Sequence, residues 1–600
     1  MEQKLAEYIA DFIAAHRVEH VFTVTGGGAM HLNDAFGHHK ALTCIYDHHE
    51  QACAIAAEGY ARLSGKIAAV CVTSGPGGTN AITGVLGGWQ DSIPMFVISG
   101  QVKRATTTWS TEVPLRQLGD QEYQIIESVR PMTKYAVMVT DPKEIRYHLE
   151  KAWFLAMNGR PGPVWLDIPL DVQAARIETE ELKGFSAEEE GLSEKPEFDE
   201  SVLGEILERI AAAKRPLILA GTGINVAGAR KEFLDCVGKL GIPVVTAWNA
   251  HDLLPSDHPL FVGKPGTVGT RGGNFVAQSC DLLLVLGCRM NIRMISYNDH
   301  QFAKNACKIV VDIDENELKK PTVDVDLPVH ADVKDFLRAL SARSLAGATA
   351  EQKDWLSRCR EIDAKFPACL PEYYETSKPM NPYAFFNELF ESMEEGDVTV
   401  CGNGSACVMG FQTAKIRKDQ RLFTNSGCAA MGYGFPAAIG ACVCRKGERV
   451  LCVDGDGSFQ MNLQELQTVV YNRLNLKIFY LNNNGYHSIR QTQSNLFAGR
   501  PMVGVCDGNG LSFPDAEKIA NAYGIPYVRI DDIRTAAEKI RKVLDSEGPV
   551  FCEAVVDPAQ NFAPKLSSRV LEDGSIVSAE LDDMAPFLPR EEVEQIRNYL

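Results

Sequence analysis

The sequence predicts an α/β protein built from three doubly wound parallel-sheet domains. Three observations carry this: the chain length, a repeated alternation of strand and helix patterns, and polar stretches that divide the alternation into three series. At 600 residues the chain is about four times the ~150 that one domain usually takes. From residue 1 to 175, HVFTV, TCIYD, IAAVCVTSG, PMFVISG and PVWLDIP read as apolar strands, with QACAIAAEGYARLSG an amphipathic helix between two of them. Such alternation builds a parallel sheet covered by helices on both faces. Residues 176–200 hold ten acidic side chains between 178 and 200 and few apolar ones, the composition of a solvated linker.

A second series, PLILAGTG, IPVVTAW, CDLLLVLGC and KIVVDID, fills residues 201–345. Residues 346–380 are again polar and read as a second linker. The third series, DVTVCGNG, RLFTNSG, RVLCVDGDG, LKIFYLNNN, IPYVRI and PVFCEAVV, spans 381–560. Residues 561–600 form a tail with a loop, NFAPKLSSRVLEDGS, and a final helix at REEVEQIRNYL. Polar residues without a core of their own often serve as lids, so Lys565, Ser567, Arg569 and Asp573 are candidates to close over a site.

Composition narrows the function. Hydrophobic residues at 45% and charged ones at 23% are ordinary for a soluble globular chain. The 60 Lys and Arg against 78 Asp and Glu give a charge of -18, which repels nucleic-acid phosphates and anionic lipid surfaces. The 17 cysteines lack CxxC pairing and lie mostly in apolar runs, as small core residues do in a reducing compartment. The N-terminus lacks the basic start and unbroken apolar stretch of a signal peptide. The most apolar stretch, 429–444, is broken by glycines and a proline and falls short of the ~20 residues that span a bilayer. The expectation is a cytoplasmic protein that binds neither nucleic acid nor membrane.

The chemistry is concentrated in CVDGDGSFQMNLQELQTVVYNRLNLKIFYLNNNGY. Asp456 closes one apolar strand and Asn482-Asn483 closes the next, with 483 − 456 = 27 residues between Asp456 and Asn483. A strand–helix–strand crossover of that length returns to the same edge of a parallel sheet, so both side chains emerge at neighbouring carboxyl ends, where open sheets bind ligands. Asp and Asn offer hard oxygens with one negative charge, suited to Mg²⁺ shared with a diphosphate. Gly455 and Gly457 allow backbone to approach phosphates. Either piece alone is an ordinary strand-end turn.

Together the pieces resemble the GDG and NN diphosphate motif of thiamine-diphosphate-dependent enzymes. The resemblance makes Asp456, Asn483 and the carbonyl of Gly485 the Mg²⁺ ligands, with Ser458 in the same turn. CVTSGPGGTNAITG, which contains Gly75, DSIPMFVISGQV, GRPGPVWLDIPLDVQ and AAMGYGFPAAIGA resemble blocks of the acetolactate synthase group, in order, from residue 20 to about 560. In YDHHEQACAIAAEGYARLSG, Glu50 stands where that group has the glutamate that bonds the cofactor's aminopyrimidine. Glu50 would be buried, partly protonated and the acid–base catalyst, with Gln121 a second active-site residue. Without the resemblance, Glu50 is also what a helix N-terminus favours. Met431 would bend the cofactor, and the Ala429 carbonyl would accept from its amino group. The implied reaction is decarboxylation of a 2-oxoacid followed by transfer to a carbonyl acceptor.

The middle domain carries Gly221 and Gly223 after one strand, and Arg289 and Arg293 after another. In acetolactate synthases this domain holds FAD, and the arginines resemble the segment that contacts it; ADP or no ligand are the alternatives. Asn291 and Thr267-Val268 depart from that pattern. Departures at the acceptor site all add polarity: Thr492 replaces an aromatic, Asp120 a Phe, His31 a Pro, and His487 with Ser488 a Gly-Met pair. An apolar pocket suits a small ketone, whereas hydroxyl-bearing acceptors need paired donors and acceptors. With Asp120, Gln121, His31, His487 and Thr492 as contacts, the acceptor expected is a polar one such as a keto-sugar. The alternatives are acetolactate synthesis proper, or a non-ligating decarboxylase or C–C lyase on the same cofactor. A dinucleotide oxidoreductase lacks its GxGxxG and following acid here. A catalytically silent scaffold has no need for Glu50, Asp456 and Asn483 together. Because Glu50 and the diphosphate motif lie on different domains, the resemblance implies a site shared by two chains, in a dimer or tetramer.

Overall fold

The computed structural model describes residues 2–497, 499–570 and 576–600, with backbone alone at 569, 570 and 576–578. A short antiparallel pair, β1 (Glu2–Lys4) and β8 (Arg176–Glu178), brackets the first sheet. That sheet contains β2 (His20–Thr23), β3 (Thr43–Tyr46), β4 (Ala69–Val72), β5 (Phe96–Gln101), β6 (Tyr135–Met138) and β7 (Val164–Pro169). They are parallel, in the order β3-β2-β4-β5-β7-β6. The central sheet contains β9 (Pro216–Ala220), β10 (Val244–Thr246), β11 (Leu282–Leu286), β12 (Cys307–Asp312) and β13 (Leu327–His330), in the order β10-β9-β11-β12-β13. Counted from its own first strand that is 2-1-3-4-5, a doubly wound order whose ligand crevice lies where the winding reverses.

The third sheet contains β14 (Val398–Cys401), β15 (Arg421–Phe423), β16 (Val450–Gly455), β17 (Leu476–Asn482), β18 (Tyr527–Ile530) and β19 (Val550–Val555), in the order β15-β14-β16-β17-β19-β18. Counted from the first strand of each, the first and third sheets share the order 2-1-3-4-6-5, so these two domains are topological twins. β4, β9 and β11 are buried along their whole length, which explains their unbroken apolar sequences: helices cover both faces and leave no solvated side to alternate.

Both polar segments are packed. In 176–200, β8 pairs with β1, Leu182 is buried, and Glu190 accepts from Lys151 at 2.7 Å. In 346–380, the Ala350–Lys365 helix starts on a capping box of Thr349 and Gln352 and buries Trp355, Cys359 and Ile362 against the central sheet. Trp355 Nε1 donates to the Pro216 carbonyl at 3.0 Å. This stretch is therefore continuous with the central core, its polar residues lying on the other helix face.

The tail also returns to the central domain. Its Arg590–Tyr599 helix buries Val593 and Ile596 in the same core, and Arg271 donates to the carbonyls of Met584 at 3.1 Å and Pro586 at 2.7 Å. Two short strands, β20 (Ser568–Val570) and β21 (Ile576–Ser578), pair antiparallel. Of the candidate lid residues, Asp573 and the Arg569 side chain lie outside the described residues. Lys565 stands over the Phe562 ring at 5.9 Å, and Leu566 N–H donates to the Thr267 carbonyl at 2.8 Å.

The twin domains touch through the Glu50–Ser64 helix of the first and the Gly434–Arg445 helix of the third. A Cβ on Gly440 would strike the Ala56 carbonyl, and one on Gly59 the Ala437 carbonyl. The helices therefore meet backbone to backbone. Lys264 ties the central domain to the third: its buried ammonium donates to the carbonyls of Phe411 at 3.0 Å, Gln412 at 3.3 Å and Ala414 at 2.6 Å.

Candidate active site

β16 and β17 run parallel with Gly455 paired to Leu481, so Asp456 and Asn483 leave the sheet on adjacent strands as the spacing predicts. Asp456 opens a short helix, Asp456–Phe459. Its carboxylate accepts from Gly457 N–H at 2.7 Å and Gly485 N–H at 3.0 Å. Burial raises its pKa to about 6, against the lowering pull of those amides. Asn483 Nδ2 donates to Ser405 Oγ at 3.3 Å, while its Oδ1 is buried with no hydrogen-bond partner among the described residues. A buried acceptor left without a donor costs free energy unless something else binds it.

A carboxylate beside a partnerless amide oxygen fits a hard cation. Among the described residues no group of three or more His, Cys, Asp or Glu side chains is arranged for a metal, so a cation here would take its remaining ligands from backbone and from bound phosphate. A Cβ on Gly455 would meet only open space, consistent with phosphate approach. Gly457 is required for a different reason than expected: a Cβ there would strike the Tyr486 ring. Arg490, which sequence reasoning missed, fastens the Asn483–Asn484 turn by donating to their carbonyls at 3.3 and 2.8 Å.

The Ala429–Met431 segment lies against this turn. Ser458 Oγ accepts from Gly432 N–H at 2.8 Å, and the Ala429 carbonyl accepts from Asn403 Nδ2 at 3.1 Å. Asn403 is a further site residue that sequence reasoning missed. Ala429 has φ 52°, a left-handed conformation that a residue with a side chain rarely adopts.

In the first domain Glu50 is the first residue of the Glu50–Ser64 helix, capped by His49, whose Nδ1 accepts from Gln51 N–H at 3.1 Å. Glu50 is half-buried rather than buried, and its Oε2 accepts from Asn80 Nδ2 at 2.9 Å. Gly75 has φ 59°, and a Cβ there would strike the Gln121 carbonyl, so the structure brings Gly75 and Gln121 together. Asp120 and Gln121 are exposed, on a loop organised by Glu122, whose carboxylate accepts from the amides of Thr108, Leu118 and Gly119. Among the described residues no hydrogen bond joins Glu50 to Asp456 or Asn483.

The polar candidates separate. His487 is buried, edge-on to the Phe562 ring at 5.1 Å, and its pKa is pushed down to about 4 by burial first and the Arg490 guanidinium second. Its imidazole is neutral near pH 7 and can donate from one nitrogen and accept at the other. Thr492 is exposed and its hydroxyl donates to the Ser488 carbonyl at 2.9 Å, which satisfies it within its own helix. His31 is half-buried, one turn beyond a glycine turn that packs on Thr73 and Ser74.

A cavity of about 310 Å³ lies where the three domains meet. Gly223, Arg289, Asn291 and Asp312 line it from the central domain, Asp91 and Arg160 from the first, and Ser426 from the third. That volume is at the small end of ligand pockets. Gly221 lies behind it, where a Cβ would strike Gly287 and Cys288. Arg293 is not among the lining residues; its carbonyl accepts from Thr267 N–H at 2.8 Å.

Three family models match the chain: the N-terminal TPP binding domain of thiamine pyrophosphate enzymes over residues 3–123, the central domain over 203–340, and the C-terminal TPP binding domain over 402–554. Similar proteins include a probable acetolactate synthase large subunit of Methanocaldococcus jannaschii, 33% identical over 570 residues, which are 93% of this chain and 92% of that protein. The acetolactate synthase large subunit of Lactococcus lactis is 31% identical over 93% of each chain. The isozyme 1 large subunit of Escherichia coli is 31% identical over 93% of this chain and 95% of its own.

Proposed function

The chain belongs to the thiamine pyrophosphate enzyme family, and from that membership we propose that it decarboxylates a 2-oxoacid, pyruvate foremost, and joins the remaining fragment to a carbonyl acceptor. The observation that carries this reading is Asp456 beside Asn483, with the buried Asn483 Oδ1 lacking a hydrogen-bond partner among the described residues. Bound thiamine diphosphate supplies a nucleophilic carbon and an electron sink for loss of carbon dioxide. Asp456, Asn483 and the Gly485 carbonyl would hold Mg²⁺, with the open backbone at Gly455 and Ser458 toward the diphosphate. Met431 and the Ala429 carbonyl would orient the ring end, with Gly75 and Gln121 contributed by the half-site that carries Glu50. Glu50 would hold and return a proton at the pyrimidine nitrogen, fixed in direction by Asn80. Titrating the purified protein with thiamine diphosphate and Mg²⁺ and identifying products from pyruvate tests the whole reading.

Glu50 bonds within its own domain and not to the diphosphate edge, which supports completion of the site by a second copy, in a dimer or tetramer. Exposed Trp109, Val113 and Leu115 near one half-site, and Ile489, Leu496 and Phe497 beyond the other, are apolar surface that such a partner would cover.

The acceptor proposed is more polar than a simple ketone, with a keto-sugar as the type. Support comes from the buried neutral His487 and the exposed pair Asp120 and Gln121, with His31 nearby in the same domain; Thr492 contributes least. Supplying pyruvate with and without keto-sugars decides this. Rapid acetolactate release from pyruvate alone would favour the second reading, acetolactate synthesis itself, which the names of the similar proteins support. For the three-domain cavity the proposal is FAD, with Gly223 and Arg289 as contacts; a flavin spectrum in protein released by denaturation tests it. All 17 cysteines are unpaired thiols, which supports a reducing compartment such as the cytoplasm. No helix among the described residues is long and apolar enough to cross a membrane.

A further inference from the structure

The loop from Thr424 to Tyr433, which carries Ala429 and Met431, is gripped at both ends by the helix that begins with Glu50. At the start, Asn425 Nδ2 donates to Glu58 at 3.1 Å. At the far end, the Tyr433 hydroxyl donates to the other Glu58 oxygen at 2.7 Å. In between, the backbone N–H groups of Ser426 and Gly427 donate to the two oxygens of Asp91, at 3.0 and 2.8 Å. Arg62 joins the two acids, donating to Glu58 and, at 2.8 Å, to Asp91. All three side chains are nearly inaccessible, with 1% exposure for Glu58, 7% for Arg62 and 5% for Asp91.

Two buried carboxylates against one guanidinium leave a net negative charge that desolvation makes costly unless donors meet it. Apart from Arg62, every hydrogen bond donated to this trio among the described residues comes from the loop. The loop cannot move away without stranding a buried carboxylate. The same clamp reaches the strained residue: Asn425 Oδ1 accepts from Cys428 N–H at 3.1 Å and Ala429 N–H at 3.3 Å, holding Ala429 in its left-handed conformation. At the diphosphate end Ser458 touches the loop through one bond, its Oγ accepting from Gly432 N–H at 2.8 Å. Among the described residues Asp456 and Asn483 make no hydrogen bond to the loop and are held by Gly457, Gly485 and Ser405.

We propose that Glu58, Arg62 and Asp91 are positioning residues for the cofactor, holding the loop so that the Ala429 carbonyl and Met431 meet its ring end. This rests on the thiamine diphosphate reading above. It differs from simple domain adhesion because it assigns the effect to one end of one ligand.

The test uses two titrations of the full-length protein in Mg²⁺, one with thiamine diphosphate and one with inorganic pyrophosphate, a probe of the diphosphate end alone. The variants are Asp91→Asn, Glu58→Gln and Gly427→Ala; the added methyl of the last lies 2.7 Å from Asp91 Oδ1 and displaces the loop while leaving the Glu58, Arg62 and Asp91 side chains themselves unchanged. Each variant should weaken thiamine diphosphate by about tenfold, as expected for one well-placed hydrogen bond lost, and leave pyrophosphate within about twofold. Equal weakening of both ligands, or unchanged binding of thiamine diphosphate, would overturn the proposal. If a charge variant does not fold, Gly427→Ala decides alone. Wild-type protein that binds pyrophosphate but not thiamine diphosphate would instead refute the functional reading, and this inference with it.

Discussion

The carboxylate of Asp456 accepts the backbone N–H of Gly485 at 3.0 Å, so the turn after β17 is tied to the end of β16 by a bond within the chain. The oxygens needed for a cation are thus brought together by the fold. Burial holds the Asp456 pKa at about 6. Because this lies above the ordinary carboxylate value, the folded chain binds the proton more tightly than the unfolded one. The group's contribution to stability is full at low pH and is lost as pH rises through about 6. Cation binding requires the ionised form and runs the other way. Mn²⁺ or Mg²⁺ affinity should rise about tenfold per pH unit below pH 6 and level off above it. Metal titrations between pH 5 and 8 check this, and a flat profile would contradict it. Asp456→Asn should flatten the profile and weaken binding by about 1.5–3 kcal/mol.

Glu50→Gln keeps the side-chain shape and a partner for Asn80 but removes the exchangeable proton. Turnover should fall by about 10²- to 10⁴-fold, with thiamine diphosphate affinity changed only a few-fold. Steady-state kinetics beside a cofactor titration separates the two effects, and full turnover would remove Glu50 from its proposed role.

His487→Ala should raise KM for a polar acceptor by about tenfold, the loss of one paired hydrogen bond. KM for the 2-oxoacid should be unchanged. An equal rise for both substrates would show that the ring only supports Phe562.

Trp355→Ala removes a fully buried indole whose N–H reaches the Pro216 carbonyl, and should destabilise the central domain by about 3–5 kcal/mol. Lys264→Met leaves three carbonyls around the Phe411–Ala414 turn without their donor and should cost about 3 kcal/mol. Urea unfolding followed domain by domain measures both. A shift confined to the third domain after Trp355→Ala would be inconsistent with the packing of 346–380.

Much of this was legible in the sequence because it was written in local pattern. Fully buried strands announce themselves as apolar runs, and the separation of Asp456 from Asn483 equals one crossover. β6 and β13 were missed for a physical reason: both are short edge strands, incompletely buried, and β13 contains a proline. The Ala350–Lys365 helix carried a readable signal in Thr349, Gln352 and the spacing of Trp355, Cys359 and Ile362, which its charge obscured. Asn403, Arg490 and the Glu58–Arg62–Asp91 trio were beyond sequence reasoning. Their meaning comes from contacts between residues distant in the chain, and Glu58 looks like any helical glutamate until Tyr433 and Asn425 are seen beside it.

The two glycines at which the twin domains meet have a structural consequence of their own. Gly59 and Gly440 form a hinge pin made of missing atoms: the gap between lobes is set by the thickness of two bare peptide ribbons. A single methyl group at either place would work as a shim, tilting one lobe from the other and misaligning the cradle even though every side chain that touches the ligand stayed intact.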